Sequence, residues 1–171
     1  IQKQLGFKKE NVLQKSFERK NLSYVVLNEE DKLNRLLKIL NKVKGTSVVY
    51  VRSRKKTKEV AQFLIQNRVS ADFYHAGLIN DERSRKQLDW INNNIRVIVS
   101  TNAFGMGIDK PDVRTVVHLD LPDSLEAYFQ EAGRAGRDEK KAFAILLVEQ
   151  ADRMDLEQRI INSFPPIETI K

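Results

Sequence analysis

Gln130, Arg134 and Arg137 stand at i, i+4 and i+7 within QEAGRAGRD, a spacing that suits phosphate chemistry. If the helix that begins after Pro122 runs through them, about 100° per residue places them within an arc of roughly 60°. Two guanidinium groups and an amide would then face one way. A guanidinium is planar, permanently charged and able to hold two phosphate oxygens at once. Gly133 and Gly136 clear space beside them, and each would cost about 1 kcal/mol inside a helix. Pairing of the arginines with Glu131 and Asp138 would explain the charges but leave the glycines unexplained. On this reading Asp123 or Ser124 caps the helix, and Glu126 closes a capping box on Asp123. Leu125, Tyr128, Phe129 and Ala132 form the buried stripe.

Two further segments carry chemistry. In TNAFGMGIDKP, Gly105 and Gly107 let the backbone turn and approach a ligand, and the carboxylate of Asp109 could accept from a ribose hydroxyl. Gly-x-Gly before an Asp is also common in ordinary turns. In RSRKK, Ser53 suits the N-cap of a helix whose first turn holds Arg54, Lys55 and Lys56. Cations there oppose the helix dipole by about 0.3–1 kcal/mol each, and a docked phosphate would reverse the sign. The alternative is that the side chains splay into water, where screening weakens the penalty. The chain holds no GxxxxGK[ST] phosphate loop and no acidic DExx box ending a strand, so a nucleotide's main phosphate cradle must lie elsewhere.

The elements that must position these residues alternate. Leu22–Leu27, Ser47–Val51, Ala71–His75, Arg96–Ser100, Thr115–Leu119 and Phe143–Val148 read as buried strands. Leu33, Leu36, Leu37, Leu40 and Val43, then Val60, Ala61, Phe63 and Leu64, recur at helical spacing. Such alternation predicts an α/β fold, a mainly parallel sheet of about six strands with helices on both faces. Ligands gather at the carboxyl ends of such strands, so residues just after each strand are the first suspects.

The chain has 171 residues, 41% hydrophobic and 31% charged, with a formal net charge of +7 and no cysteine. This predicts one domain in a cytoplasmic protein, without disulfides or a thiolate zinc site. Two histidines 43 residues apart are poor evidence for a metal. Residues 1–60 carry 16 Lys/Arg against 6 Asp/Glu, and the remainder carry 14 against 17. A basic end suggests a polyanionic partner such as nucleic acid, or else a lysine-rich surface kept for solubility.

SRKK, TNAFGMGIDKPDVR and QEAGRAGRD resemble the later helicase motifs of superfamily 2. The wording AFGMGIDKPDVR with QEAGRAGRD, together with YHAGL at Tyr74–Leu78 and the segment Ser16–Leu22, is similar to RecQ-family DNA helicases. The resemblance implies the second RecA-like lobe, without a phosphate loop of its own, of an ATP-dependent 3′-to-5′ DNA helicase. It implies that Arg137 is an arginine finger toward the γ-phosphate of ATP held with Mg²⁺ by the first lobe of the same chain. Arg134 would stand beside it and Gln130 would couple nucleotide to DNA. Gly107 and Asp109 would lie near the ribose. Thr101 and the Ser53/Arg54 turn, with Lys55 and Asn102, would grip single-stranded DNA, and His75 and Arg83 would extend that surface.

Three departures stand out: Lys20 where this family has Pro, Glu139 where Gly is frequent after Asp138, and Val148–Gln150 in place of an aromatic-Asp-Pro run. The expected organisation is a tail of the preceding lobe over 1–21, the second lobe over 22–162, and a connector over 163–171 toward a zinc region. The lobe alone is expected to hydrolyse no ATP. Two rivals are a non-enzymatic nucleic-acid-binding module and an RNA-directed superfamily 2 lobe.

Overall fold

The expected strands are mostly apolar, which calls for a sheet covered on both faces. In the computed structural model, which describes residues 4–9, 18–104 and 108–163, this is what happens. The strands are β1 (Leu22–Asn28), β2 (Thr46–Tyr50), β3 (Ala71–Tyr74), β4 (Val97–Ser100), β5 (Val113–His118) and β6 (Ala142–Val148). They form one sheet in the order β1-β6-β5-β2-β4-β3, and every neighbouring pair is parallel. Helices α1 (Lys32–Lys42), α2 (Arg54–Gln66), α3 (Asn80–Ile91) and α4 (Leu125–Ala132) make crossovers, and α5 (Gln150–Ser163) follows β6. The step from β4 to β5 passes over β2 through a loop that contains Asp109.

Successive strand residues point to opposite faces, so each strand feeds two cores. Val49, Val99, Val117 and Ile145 meet Leu36 and Leu40 of α1 and Val60 and Leu64 of α2. Val48, Ile98, Val116 and Ala144 point the other way, toward Trp90 of α3, Ala132 of α4 and Phe104 and Ile108 of the loop. The expected two-sided α/β sheet is therefore the fold.

Helix α4 takes one of its two expected caps but departs from expectation in its capping box, its stripe and its end. Ser124 is its N-cap, with Oγ accepting from the Ala127 N–H at 3.1 Å. The Glu126 carboxylate is hydrogen-bonded to the Ser124 hydroxyl and closes no box on Asp123, which instead pairs with Arg52 at 2.5 Å. Leu125 and Phe129 are exposed, leaving Ala132 fully buried and Tyr128 partly so. Phe129 has left the core for the edge strand, meeting Tyr24 of β1 edge to face at 5.6 Å.

The helix also stops at Ala132, before either arginine. Gly136 and Glu139 both take left-handed backbone, at φ 63° and 64°. That accounts for glycine being frequent where Glu139 stands, since a side chain in this region costs about 1–2 kcal/mol. Glu139→Gly is expected to stabilise the fold by about 0.5–1 kcal/mol after glycine's own entropy cost. Thermal unfolding followed by circular dichroism should rise by about 1–4 °C, and an unchanged or lower midpoint would refute the explanation.

Candidate nucleotide and nucleic-acid faces

Because α4 ends early, Gln130, Arg134 and Arg137 do not share one helical arc. Gln130 is exposed on α4, whereas Arg134 and Arg137 stand in the irregular turn 133–138. Helix α4 runs back across the sheet, so this turn lies at the amino ends of the strands. Gly136 donates to Val113 O at 2.8 Å and Asp138 to Pro111 O at 3.1 Å. The first suspects, residues just after each strand, thus do not include the arginines.

The turn brings together residues far apart in sequence. Arg137 Nη1 lies 2.7 Å from Asp109 Oδ1, an ion pair whose carboxylate side chain is 82% exposed. Gly107 lies outside the described residues. Arg134 is half-buried and hydrogen-bonded to the Tyr50 phenol. Burial pushes that phenol's pKa well above its ordinary value, and the neighbouring Arg134 guanidinium opposes the rise. Tyr50 Oη donates in turn to Phe104 O at 3.1 Å. One chain of contacts therefore runs from the arginine turn through Tyr50 to the glycine loop. In the sequence Tyr50 is only a residue of the expected strand Ser47–Val51.

Neither carboxylate proposed as a sink for the arginines is idle. Glu131 meets the buried His118 Nε2 at 2.7 Å, and Asp138 meets Arg114 at 2.5 Å. Hydrogen bonding from Arg114 holds the Asp138 carboxyl below its usual range. Beside Arg134 and Arg137 a partly open cavity measures about 10 Å³. Ligand pockets usually measure about 300–1,000 Å³, so this cavity is too small for a nucleotide; Arg137 is exposed beside it and Arg134 is half-buried.

The second group does gather at carboxyl ends, above the adjacent strands β2, β4 and β3. Ser53 caps α2, its Oγ accepting from the Lys56 N–H at 3.0 Å. Of the three first-turn cations, Lys56 is neutralised by Asp120 at 2.5 Å, so the protein supplies one of the anions that the sequence seemed to lack. Lys55 lies in solvent, 3.6 Å from Glu59. Arg54 crosses Gly77 so closely that a Cβ there would sit 2.7 Å from its Nη1. His75 is buried, and neither ring nitrogen has a hydrogen-bond partner. Burial lowers its pKa, with Lys58 and Arg54 adding to the effect. Lys58, one turn beyond Arg54, was not singled out from sequence.

Thr101 is buried after β4 and Asn102 is exposed beside it. Arg83 stands in the first turn of α3, bonded to the Asn80 side chain. Among the described residues no group of three or more His, Cys, Asp or Glu could hold a metal ion.

Comparison with known proteins gives this geometry its family. Residues 31–139 match the helicase conserved C-terminal domain. The ATP-dependent DNA helicase RecQ of Pasteurella multocida is 42% identical over 153 residues, which make up 89% of this chain and 24% of that protein. A protein of Acanthamoeba polyphaga mimivirus that carries an ATP-dependent RNA helicase name is 39% identical over 95% of this chain and 30% of its own length. Among solved structures, Saccharomyces cerevisiae Dbp5 bound to RNA and ADP BeF3 superposes with a TM-score of 0.67 at 28% identity, over 86% of this chain and 40% of that one. The chain thus spans about a quarter to a third of the length of these curated relatives. With its matched domain, its RecQ relatives and its all-parallel sheet, the chain belongs to the helicase conserved C-terminal domain family, as a RecQ-type C-terminal lobe of superfamily 2.

Proposed function

We propose that this lobe completes the ATP site of a RecQ-type 3′-to-5′ DNA helicase and grips one DNA strand. The reading rests on one observation: Arg137 meets an Asp109 carboxylate that is 82% exposed, and Arg134 stands in the same turn. A preceding lobe would hold ATP and Mg²⁺ and close against this turn. Arg137 would then exchange Asp109 for the γ-phosphate, where charge develops as the terminal phosphoryl group departs. Asp109, released, is free to accept from a ribose hydroxyl. Opening and closing of the cleft would move the strand held by Ser53, Arg54, Lys55, Thr101 and Asn102, with His75 and Arg83 flanking it.

The isolated lobe is expected to hydrolyse no ATP, with or without DNA, and to bind single-stranded oligonucleotides weakly and in a salt-dependent way. DNA-stimulated ATP hydrolysis by this chain alone would sink the reading. Gly77→Ala locates the grip, because the added methyl group displaces only the far end of Arg54. It should reduce the slope of log K against log salt by about 0.7, one phosphate contact on a single strand, while leaving the melting midpoint in place. An unchanged slope would remove Arg54 from the DNA surface.

An RNA-directed reading has specific support in the RNA helicase name of the mimivirus relative and in the RNA bound to Dbp5. Competition between DNA and RNA single strands of equal length, read by stimulated ATP hydrolysis of the helicase that carries this lobe, decides between them.

A further inference from the structure

The arginine turn is not held by its own helix. Its N–H groups at Gly136 and Asp138 are tied to the residues that open β5, and its carbonyls are tied by residues that precede β1. Arg19 Nη1 donates to Gly133 O at 2.7 Å, and Nη2 donates to Ala135 O at 2.7 Å and to Gly136 O at 2.5 Å. Asn21 Nδ2 donates to Gly136 O at 2.7 Å and to Lys140 O at 2.9 Å. These contacts bridge 114 to 119 residues of sequence. They satisfy carbonyls just past the end of α4, where backbone acceptors lack helical partners and the dipole favours a cation. A planar fork can span three carbonyls, whereas an ammonium cannot match that geometry.

We infer that Arg19 and Asn21 form a positioning clasp for Arg134 and Arg137, so that the segment entering β1 governs where the arginines stand. Arg137 lies between two residues whose backbones are pinned, Gly136 through both N–H and carbonyl and Asp138 through its N–H. Releasing the carbonyl side lets Arg137 move without touching any residue that meets nucleotide. The inference rests on the arginine-finger reading above, and the test separates the two.

The experiment uses the helicase that carries this lobe together with its first lobe, and measures kcat and KM for ATP in R137A, R19A, R19K and the double variant R19A/R137A. A misplacement of about 1 Å costs about a hundredfold in rate, so R19A should lose about that factor in kcat with KM for ATP nearly unchanged. The double variant should be no slower than R137A, because a residue that acts through another adds nothing once that other is gone. If R19A does not fold, R19K carries the test, with a loss of about tenfold in kcat at an unchanged melting midpoint expected. R19A or R19K turning over like the parent while R137A is inactive would overturn the clasp and spare the finger. Losses that multiply in the double variant would also overturn it, since they mark a general structural role. If R137A itself stays active, the finger reading falls. The clasp is then judged by amide hydrogen exchange over residues 133–138, which should quicken in R19A and, if unchanged, would overturn it.

Discussion

Arg137→Ala in the helicase that carries this lobe is expected to slow ATP hydrolysis by roughly a thousand- to a hundred-thousand-fold, the range associated with an arginine finger. ATP affinity should stay comparatively intact, because the guanidinium would meet charge that grows only as the phosphoryl group transfers. The structure adds a second expectation. In the free lobe Arg137 is paired with an Asp109 side chain that is 82% exposed. Ion pairs this exposed contribute at most about 1 kcal/mol, so the variant should melt close to the parent. Steady-state kinetics with a thermal melt on the same preparation checks both. Equal losses in kcat and in ATP binding would make Arg137 a binding residue, and a large drop in melting would make it a structural one.

Gly136→Ala should have the largest effect on the fold. At φ 63° an alanine already pays about 1–2 kcal/mol for left-handed backbone. Its Cβ would lie 2.7 Å from Ala142 Cβ, 2.7 Å from Asn21 Nδ2 and 2.9 Å from Lys140 O. Ala142 is fully buried at the start of β6 and Lys140 O is backbone, so neither is a flexible chain end that can swing aside. Overpacking of this kind costs about 1–3 kcal/mol. The combined loss should be about 2–5 kcal/mol, read from urea unfolding of the isolated lobe. A loss under about 0.5 kcal/mol would show that the turn can relax. Because Asn21 is one of the atoms displaced, the variant should also disturb the arginine turn. The glycine that seemed to clear space for a ligand is required by the backbone and by its neighbours.

Some of the candidate site was legible because its determinants are local. Ser53 could be recognised as an N-cap, since a hydroxyl beside the first helical turn acts within three residues. All six strands could be recognised, since each is a short run rich in β-branched, aliphatic or aromatic residues, although the edge strands β1 and β3 are only partly buried. The end of α4 was not legible. Gly133, the C-cap, reads in sequence as space for a ligand although glycine commonly ends a helix, and nothing near it announces that Arg19 and Asn21 hold the next carbonyls. Leu125 and Phe129 followed the helical stripe, yet the sheet ends beneath them at an edge strand and leaves them exposed. Lys56 looked like a cation in need of a phosphate until the β5–α4 loop brought Asp120 beside it.

From the sequence alone follow the two-sided α/β sheet, the family resemblance and the candidates for phosphate binding, because patterning and side-chain chemistry are properties of single residues and short windows. Only the tertiary structure decided that the arginines leave the helix, that Arg137 meets Asp109, and that Tyr50 joins Arg134 to the glycine loop. Each of these depends on where a crossover returns the chain, and that is settled by packing between elements too distant in sequence for any local pattern to record.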